Sequence, residues 1–292
     1  MAKKRKKGNN SKLVKILLFL LLISTVCLFH KPLSEVLQNV LQAHEKECVV
    51  TNTINKSKSV QLLEIPARLT DRPEQILYRK GYTTSYNRKW KMPNWVAWEL
   101  TREELQVRES RTNEFLADPD IPESQAVTTN DYKGSGYDRG HMCPAGDNRW
   151  HWKAMQESFY MTNMCPQNRK LNGGDWRKLE EKCREWAKQA GSIYIVCGPI
   201  VTSKNPKTIG RHQQITVPDA FFKVILSMNG SAPSALGFIY QNQTGNHPLS
   251  SYVHPIDQVE QLTGIDFFPN LPDEIENKVE AQSDLNKFLR LF

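Results

Sequence analysis

The amino-acid sequence predicts an α+β fold. Strand-like and helix-like segments are mixed along the chain, without the regular alternation that a doubly wound sheet requires. Residues 94–100 (NWVAWEL) alternate in polarity and are rich in aromatic and β-branched side chains, which is typical of a strand. The period of an amphipathic helix is clearest over residues 175–191 (DWRKLEEKCREWAKQAG).

The other elements follow from local patterns. Residues 192–200 (SIYIVCGPI) form a near-continuous apolar run, which predicts a buried central strand. Residues 220–226 (AFFKVIL) and 235–241 (ALGFIYQ) predict two more strands, separated by a turn-rich segment. For the helix, Asp175 is a suitable N-cap and Gly191 a suitable C-terminal stop.

Residues 1–30 have the pattern of an export signal. Residues 1–15 carry seven lysines and arginines and no acid, and an uncharged apolar run follows at residues 16–29. No clear cleavage site follows, so an uncleaved membrane anchor over residues 13–29 stays open. We therefore expect an exported protein, periplasmic or extracellular, whose partners include the membrane if the segment is retained. A buried core helix is the weaker alternative.

The positive charge of the chain is concentrated in that first segment. The formal net charge is +8, yet beyond residue 15 the chain has 32 basic against 31 acidic residues. Charge alone therefore does not predict a nucleic-acid surface, and any phosphate site must be a local cluster. Residues 31–60 resemble a linker with a short amphipathic helix, and residues 61–292 are expected to form the folded domain.

Four cysteines fall in the predicted domain, and the sequence does not determine their pairing. An oxidising compartment would favour disulfides. A zinc site is the competing interpretation, but the chain has no C-x-x-C and no H-x3-H spacing. The four are Cys143, Cys165, Cys183 and Cys197.

Residues 137–150 (YDRGHMCPAGDNRW) concentrate acidic, basic, histidine and cysteine side chains, a combination that suggests a reaction. His141 has the side chain most suited to proton abstraction near neutral pH. Arg139 offers a planar cation for phosphate, and Gly140 allows a ligand to approach the backbone closely. A structural or surface histidine is the alternative for His141. The segment follows the turn-prone KGSG, so we expect a turn here, and Asp138 either orients a neighbour or caps that turn.

A second polar segment follows at residues 159–181. Asn172 precedes two glycines at the start of the predicted helix, and Glu180 follows a little over two helical turns later. A neutral Asn oxygen with mostly water as the other ligands suits Mg2+, which dehydrates reluctantly. Taken singly, Asn172 is better explained as a helix cap, and Glu180 as a residue of a solvated helix face.

Together these segments carry a family resemblance. DRGH, then TNMCPQ, then LNGGDWRKLE resemble the DNA/RNA non-specific endonucleases, the ββα-metal nucleases that include mitochondrial endonuclease G. The resemblance begins near residue 81 and extends over nearly all of the predicted domain. It implies a ββα-metal nuclease fold, with a central, mostly antiparallel sheet flanked by helices.

The resemblance implies a role for each candidate residue. His141 would be the general base, and Asn172 the one direct protein ligand of Mg2+, with Mn2+ as a substitute. Glu180 would hold a water molecule of the metal's shell. Asn163 would help to position the base or the scissile phosphate.

Arg139 and Arg111 would bind phosphate and the developing negative charge. Arg102 and Arg108 are nearby alternatives to Arg111, because the spacing before DRGH varies. Their common feature is a fixed positive charge able to hold two phosphate oxygens at once.

Two cysteines depart from simpler members of the family. Cys143 and Cys165 each lie two residues after a predicted site residue, His141 and Asn163. A disulfide that ties the two catalytic segments together is one hypothesis. Two small buried thiols are the other.

The implied function is hydrolysis of phosphodiester bonds in DNA and RNA, with 5′-phosphate products and little base specificity. A catalytically silent nucleic-acid-binding protein and a phosphodiesterase with another substrate are the alternatives. Trp150, Trp152 and Trp176 suit either base stacking or core packing, and core packing is favoured. The sequence leaves a homodimer, an inhibitor protein and the preference between DNA and RNA open.

Overall fold

The computed structural model describes residues 62–230 and 232–292. The predicted signal and linker segments therefore lie outside the described residues. A seven-stranded antiparallel sheet in the order β1-β2-β3-β6-β9-β10-β11 forms the centre. Its strands are β1 (Gln75–Tyr78), β2 (Thr83–Asn87), β3 (Met92–Thr101), β6 (Ser192–Ile200), β9 (Ala220–Ser227), β10 (Ser234–Gln241) and β11 (Val253–His254).

Two small pairs of strands lie outside this sheet. The first pairs β4 (Asp138–His141) with β5 (Met164–Gln167), so that His141 lies opposite Met164. The second pairs β7 (Thr208–Ile209) with β8 (Ile215–Thr216).

Helices flank the central sheet. They are α1 (Thr129–Tyr132), α2 (Trp152–Ser158), α3 (Arg169–Leu171), α4 (Arg177–Ala190), α5 (Ile256–Thr263), α6 (Asp273–Glu280) and α7 (Leu285–Leu289). A π-helical turn, Asn172–Trp176, joins α3 to α4, and Gly174 within it has non-helical backbone angles.

The central strands are buried on both faces, and their residues alternate between two hydrophobic cores. In β6, Ile195 belongs to the core under α4, whereas Val196 belongs to the core under α5 and α6. In β9, Phe221 and Ile225 face the α4 side. Lys223 lies between them in the strand and therefore points to that same side.

The strong sequence patterns agree with the structure. The four predicted strands correspond to β3, β6, β9 and β10, and the predicted helix to α4. Gly191 ends α4 with a φ of 95°. The N-cap prediction for Asp175 is wrong, because its carboxylate accepts hydrogen bonds from Tyr252 and Lys178 and from the backbone of His247.

The DRGH segment is a short strand, whereas the sequence predicted a turn. Gly140 lies opposite Cys165 in the β4–β5 pair. A Cβ on Gly140 would come within 2.3 Å of the Gln167 side chain. Gly140 is therefore needed for packing against β5, and not for the approach of a ligand as we predicted.

Candidate active site

A groove of about 1180 Å3 opens beside β4 and the start of α4. It is lined by five of the six residues that the sequence singled out, and also by several further basic side chains. These five are Arg111, Arg139, His141, Asn172 and Glu180. The fold therefore brings together residues that are up to 69 positions apart in the chain.

His141 ends β4 and packs against two phenyl rings. Its imidazole meets Phe159 edge-on at a centroid distance of 4.8 Å and lies 5.6 Å from Phe115. Burial, together with the positive charges of Arg111 and Arg139, lowers its pKa to about 3. The imidazole is therefore neutral at neutral pH, which is the form that accepts a proton.

The two ring nitrogens of His141 differ. Nε2 is buried and has no hydrogen-bond partner among the described residues. Nδ1 also lacks a partner there but is not buried, and His141 lines the groove. Nδ1 is thus the nitrogen that a molecule in the groove can reach.

Asn172 begins the π-helical turn and is oriented by Asp138. Its Nδ2 donates a hydrogen bond of 3.1 Å to Asp138 Oδ2. Because the amide nitrogen is used in this way, Oδ1 is left as a free acceptor in the groove. The second oxygen of Asp138 accepts from Arg169 at 3.1 Å. Asp138 therefore orients its neighbours, which was one of the two roles that the sequence allowed.

Glu180 lies on the first turn of α4 and also lines the groove. Burial raises its pKa to about 7, although the positive charges of Lys223, Arg184 and Arg111 oppose the rise. Within the described part of the chain its carboxylate makes no hydrogen bond or ion pair. Both oxygens are therefore available to a ligand in the groove.

Two arginines of the groove lack an acidic partner among the described residues. The guanidinium of Arg139 lies 4.0 Å from the ring centre of Phe115, and that of Arg111 lies 5.4 Å from the ring centre of Phe159. Both rings also contact His141. The aromatic rings thus hold two cations beside the imidazole without neutralising them.

The structure also distinguishes Arg111 from Arg102 and Arg108, the two alternatives for a phosphate-binding arginine. Arg102 donates to the carbonyl groups of Lys188 and Gln189 at the end of α4. Arg108 contacts Gln106 and does not line the groove. Of the three arginines, Arg111 alone lines it.

Asn163 is placed differently from the prediction of a phosphate contact. Its side chain is fully buried, and it does not line the groove. Oδ1 accepts from the backbone N–H of Cys143, while Nδ2 donates to the carbonyl groups of Cys143 and Ser158. Asn163 therefore fixes the backbone that follows His141 and does not reach the groove.

The four cysteines of the domain are buried free thiols. The hypothesis of a Cys143–Cys165 disulfide is therefore wrong. Cys143 Sγ accepts a hydrogen bond from Asn148, and Cys197 donates to the carbonyl of Met142. The connection between the two catalytic segments comes instead from the β4–β5 pairing and from Asn163.

Three charged residues near the groove were missed. Asp147 is buried and receives hydrogen bonds from Arg184 at 2.8 Å and from the indole of Trp98. Lys223 is 1% exposed, and its ammonium lies 5.0 Å from the ring centre of Trp98 and 4.5 Å from that of Trp176. A lysine inside the apolar run AFFKVIL was the one visible indication.

The three tryptophans considered for stacking have different environments. Trp176 is fully buried and donates to the carbonyl of His141 at 3.4 Å. Trp150 is half-buried, with Lys80 over its ring. Trp152 is 60% exposed and stacks on His151. The core role is confirmed for Trp176, and Trp152 has a free surface.

The family comparison agrees with this geometry. The model of the DNA/RNA non-specific endonuclease family matches residues 62–274. The chain belongs to this family. It is a nuclease, and the predicted ββα-metal fold and family resemblance are confirmed.

Individual relatives support the same conclusion. The chain is 33% identical to Nuclease 1, mitochondrial, of Schizosaccharomyces pombe over 231 residues, which are 72% of each chain. It is 34% identical to human Nuclease EXOG, mitochondrial, over 65% of this chain and 56% of that protein. The crystal structure of the EndoG/EndoGI complex matches with a TM-score of 0.67 and 27% identity, covering 76% of this chain and 94% of that one.

The predicted export to the periplasm or the cell exterior is wrong. The relatives from S. pombe, human and Saccharomyces cerevisiae are named mitochondrial nucleases. A basic, acid-free start is shared by export signals and by organelle-targeting segments, so it does not distinguish the two. Within the described residues, no helix has the length and apolarity needed to cross a membrane. The anchor predicted at residues 13–29 lies outside them.

Proposed function

We propose that the chain is a metal-dependent endonuclease that hydrolyses phosphodiester bonds of DNA and RNA and leaves 5′-phosphate ends. One observation carries the proposal: a neutral imidazole, a free amide oxygen and two unpaired guanidinium groups line the same groove. Phosphodiester hydrolysis requires a general base, an oxygen ligand for a metal ion and a site that binds the anionic phosphate.

The donor set fits one hard divalent cation. Asn172 would hold the ion through Oδ1, since its Nδ2 is bonded to Asp138. Glu180, whose carboxylate is free of other partners, would support the ion's water shell. Mg2+ suits this set of oxygen donors, and Mn2+ would substitute. When bound, the ion supplies positive charge that stabilises the negative charge growing on phosphorus and on the leaving oxygen.

The residues of the chain perform the remaining steps. Arg139 and Arg111 bind the non-bridging phosphate oxygens and orient the phosphodiester. Nδ1 of His141 accepts a proton from water as the water oxygen bonds to phosphorus. The bond from phosphorus to the 3′ oxygen breaks, and that oxygen takes up a proton from solvent. The phosphate stays on the 5′ oxygen of the downstream nucleotide, so that fragment carries a 5′-phosphate.

Asn163 and Trp176 position the base. The first holds the backbone of Cys143, and the second donates to the carbonyl of His141 itself. Contacts of this kind fix the imidazole against Phe159 without touching the substrate. Because all of the contacts proposed for the substrate are to phosphate, little base specificity follows.

The test is cleavage of supercoiled plasmid and of structured RNA by the full chain, in Mg2+ and in EDTA. We expect Mg2+-dependent loss of both substrates. His141→Ala should lower the rate about 100- to 10,000-fold, the usual contribution of a general base. His212→Ala is the matched control, because His212 is exposed and outside the groove.

The alternatives give distinct results. If the chain binds nucleic acid tightly but does not cleave it with any divalent metal, it is a nucleic-acid-binding protein without catalytic activity. If the chain hydrolyses small phosphodiesters but neither DNA nor RNA, it is a phosphodiesterase with another substrate. The new 5′ ends should accept a label only after phosphatase treatment, which would show that cleavage leaves a 5′-phosphate.

A further inference from the structure

Three carboxylates converge between α5 and α6, away from the groove. Oxygen atoms of Asp257, Glu260 and Glu280 all lie within 4.8 Å of one another. The first two are on α5, and the third ends α6. None of them lines the groove described above.

Glu280 is the unusual member. It is 7% exposed, and its Oε1 is fully buried without a hydrogen-bond partner among the described residues. Its neighbour Val279 packs in the core beside Ile256 and Val259 of α5, which holds the end of α6 against this helix. A buried carboxylate oxygen without a partner costs free energy unless a cation or a proton satisfies it.

The surroundings add more negative charge and no compensating cation. Residues 256–280 contain seven acids and one base, Lys278, which is exposed. Burial, together with the negative charges of the neighbouring acids, raises the pKa of Glu280 to about 8; these acids are Glu260, Glu276, Asp257 and Asp266. Within the described part of the chain, no ion pair involves any of these acids.

This surface is unsuited to the substrate. A polyanion is repelled by clustered carboxylates, so nucleic acid will not bind there. A small cation is the complementary ligand. Asp257 is exposed, Glu260 is half-buried and Glu280 is buried, so the cluster is open to solvent on one side and closed on the other.

We infer that Asp257, Glu260 and Glu280 bind a Ca2+ ion that joins α5 to α6. Ca2+ takes six to eight oxygen ligands, carboxylates among them, at about 2.3–2.6 Å and in flexible geometry. Mg2+ demands near-octahedral geometry and keeps several waters, so it binds through one or two carboxylates and suits a cluster of three less well. Water completes the shell on the open side. Glu260 contributes its remaining oxygen, because Oε1 accepts from the backbone N–H of Phe267.

The experiment is thermal unfolding of the full chain with and without Ca2+, together with calorimetric titration by Ca2+ alone. Asn172→Ala serves as background, so that the groove does not contribute. We expect Ca2+ to raise the Tm by several degrees in this background. Adding Glu280→Gln should abolish the rise, whereas the matched control Glu274→Gln, an exposed acid of the same helix, should retain it.

Two outcomes would overturn the site. One is a Tm that does not respond to Ca2+, which would mean that a shared proton satisfies the cluster. The other is an undiminished response in Glu280→Gln. If Glu280→Gln does not fold, Asp257→Asn, at an exposed position, replaces it. Glu280→Gln should also leave plasmid cleavage in Mg2+ unchanged, so this test is independent of the proposed nuclease mechanism.

Discussion

The groove and the contact between α5 and α6 each hold a carboxyl group whose pKa is raised by burial, and the charges around the two groups are opposite in sign. Around the groove, Asp147 is paired with Arg184, and Glu180 is surrounded by the positive charges of Lys223, Arg184 and Arg111. Between α5 and α6, the neighbours of Glu280 are other acids. The groove thus has positive charge that is not neutralised and can bind an anion, whereas the α5–α6 cluster requires a cation from solution.

Burial alone therefore does not reveal which ligand a carboxylate binds. Burial raises the pKa of Glu180 to about 7 and that of Glu280 to about 8, so the two carboxyl groups are similar in this respect. The sign of the surrounding charge decides which ligand completes each site. A substitution that changes the charge in the groove should therefore alter nuclease activity without altering the α5–α6 cluster, and the reverse should also hold.

Among substitutions that change the charge of the groove, the largest effect should come from its unpaired arginines. Arg139→Ala should lower kcat/KM for plasmid DNA about 10- to 100-fold, because it removes a charged hydrogen bond to phosphate. Arg177→Ala is the matched control. Arg177 also lines the groove, but it is paired with Glu181, so its loss should change the rate only slightly. Equal losses in the two variants would show that the groove acts through its total charge.

A smaller effect should follow from removing the buried lysine. Lys223 lowers the pKa of Glu180, so Lys223→Met should raise that pKa above about 7. At neutral pH more of Glu180 would then be protonated and unable to support the metal. We expect the acidic limb of the pH–rate profile to move to higher pH, with activity recovered above it.

The control for this profile is Lys207→Met, an exposed lysine over Tyr137. Its acidic limb should coincide with that of the parent protein. If Lys223→Met lowers activity equally at every pH, the lysine supports only the fold.

The smallest effect should come from the exposed indole. Trp152→Ala should weaken binding of single-stranded nucleic acid about fivefold if a base stacks on it, at the lower end of such contributions. Trp152→Phe should retain most of the binding, because a flat ring remains. An unchanged affinity in Trp152→Ala would exclude the stacking role.

The elements that sequence could predict are those with long periodic patterns. Residues 94–100 and 192–200 and the amphipathic helix are local patterns, and their structures agree with them. Strand β4 has four residues, too few for a period, and it exists because β5 pairs with it from a distant part of the chain. Its prediction as a turn failed for that reason.

The sequence could identify those residues of the groove whose side-chain type allows few chemical roles. His141 and Asn172 each lie in a spaced motif and have a side chain suited to the predicted chemistry, and both line the groove. Asp147 and Arg184 are 37 residues apart, and nothing local links them. The three hydrogen bonds of Asn163 likewise depend on tertiary contacts, so its buried position could not be read from TNMCPQ.

The most direct test of the proposed mechanism is the Mg2+ requirement of Asn172→Ala. The control is Asn130→Ala, an exposed asparagine that lines the same groove. We predict that Asn130→Ala has the Mg2+ dependence of the parent protein. Asn172→Ala should need at least about tenfold more Mg2+ for half-maximal plasmid cleavage, or lose cleavage altogether. An unchanged Mg2+ requirement in Asn172→Ala would contradict the assignment of the metal to this residue.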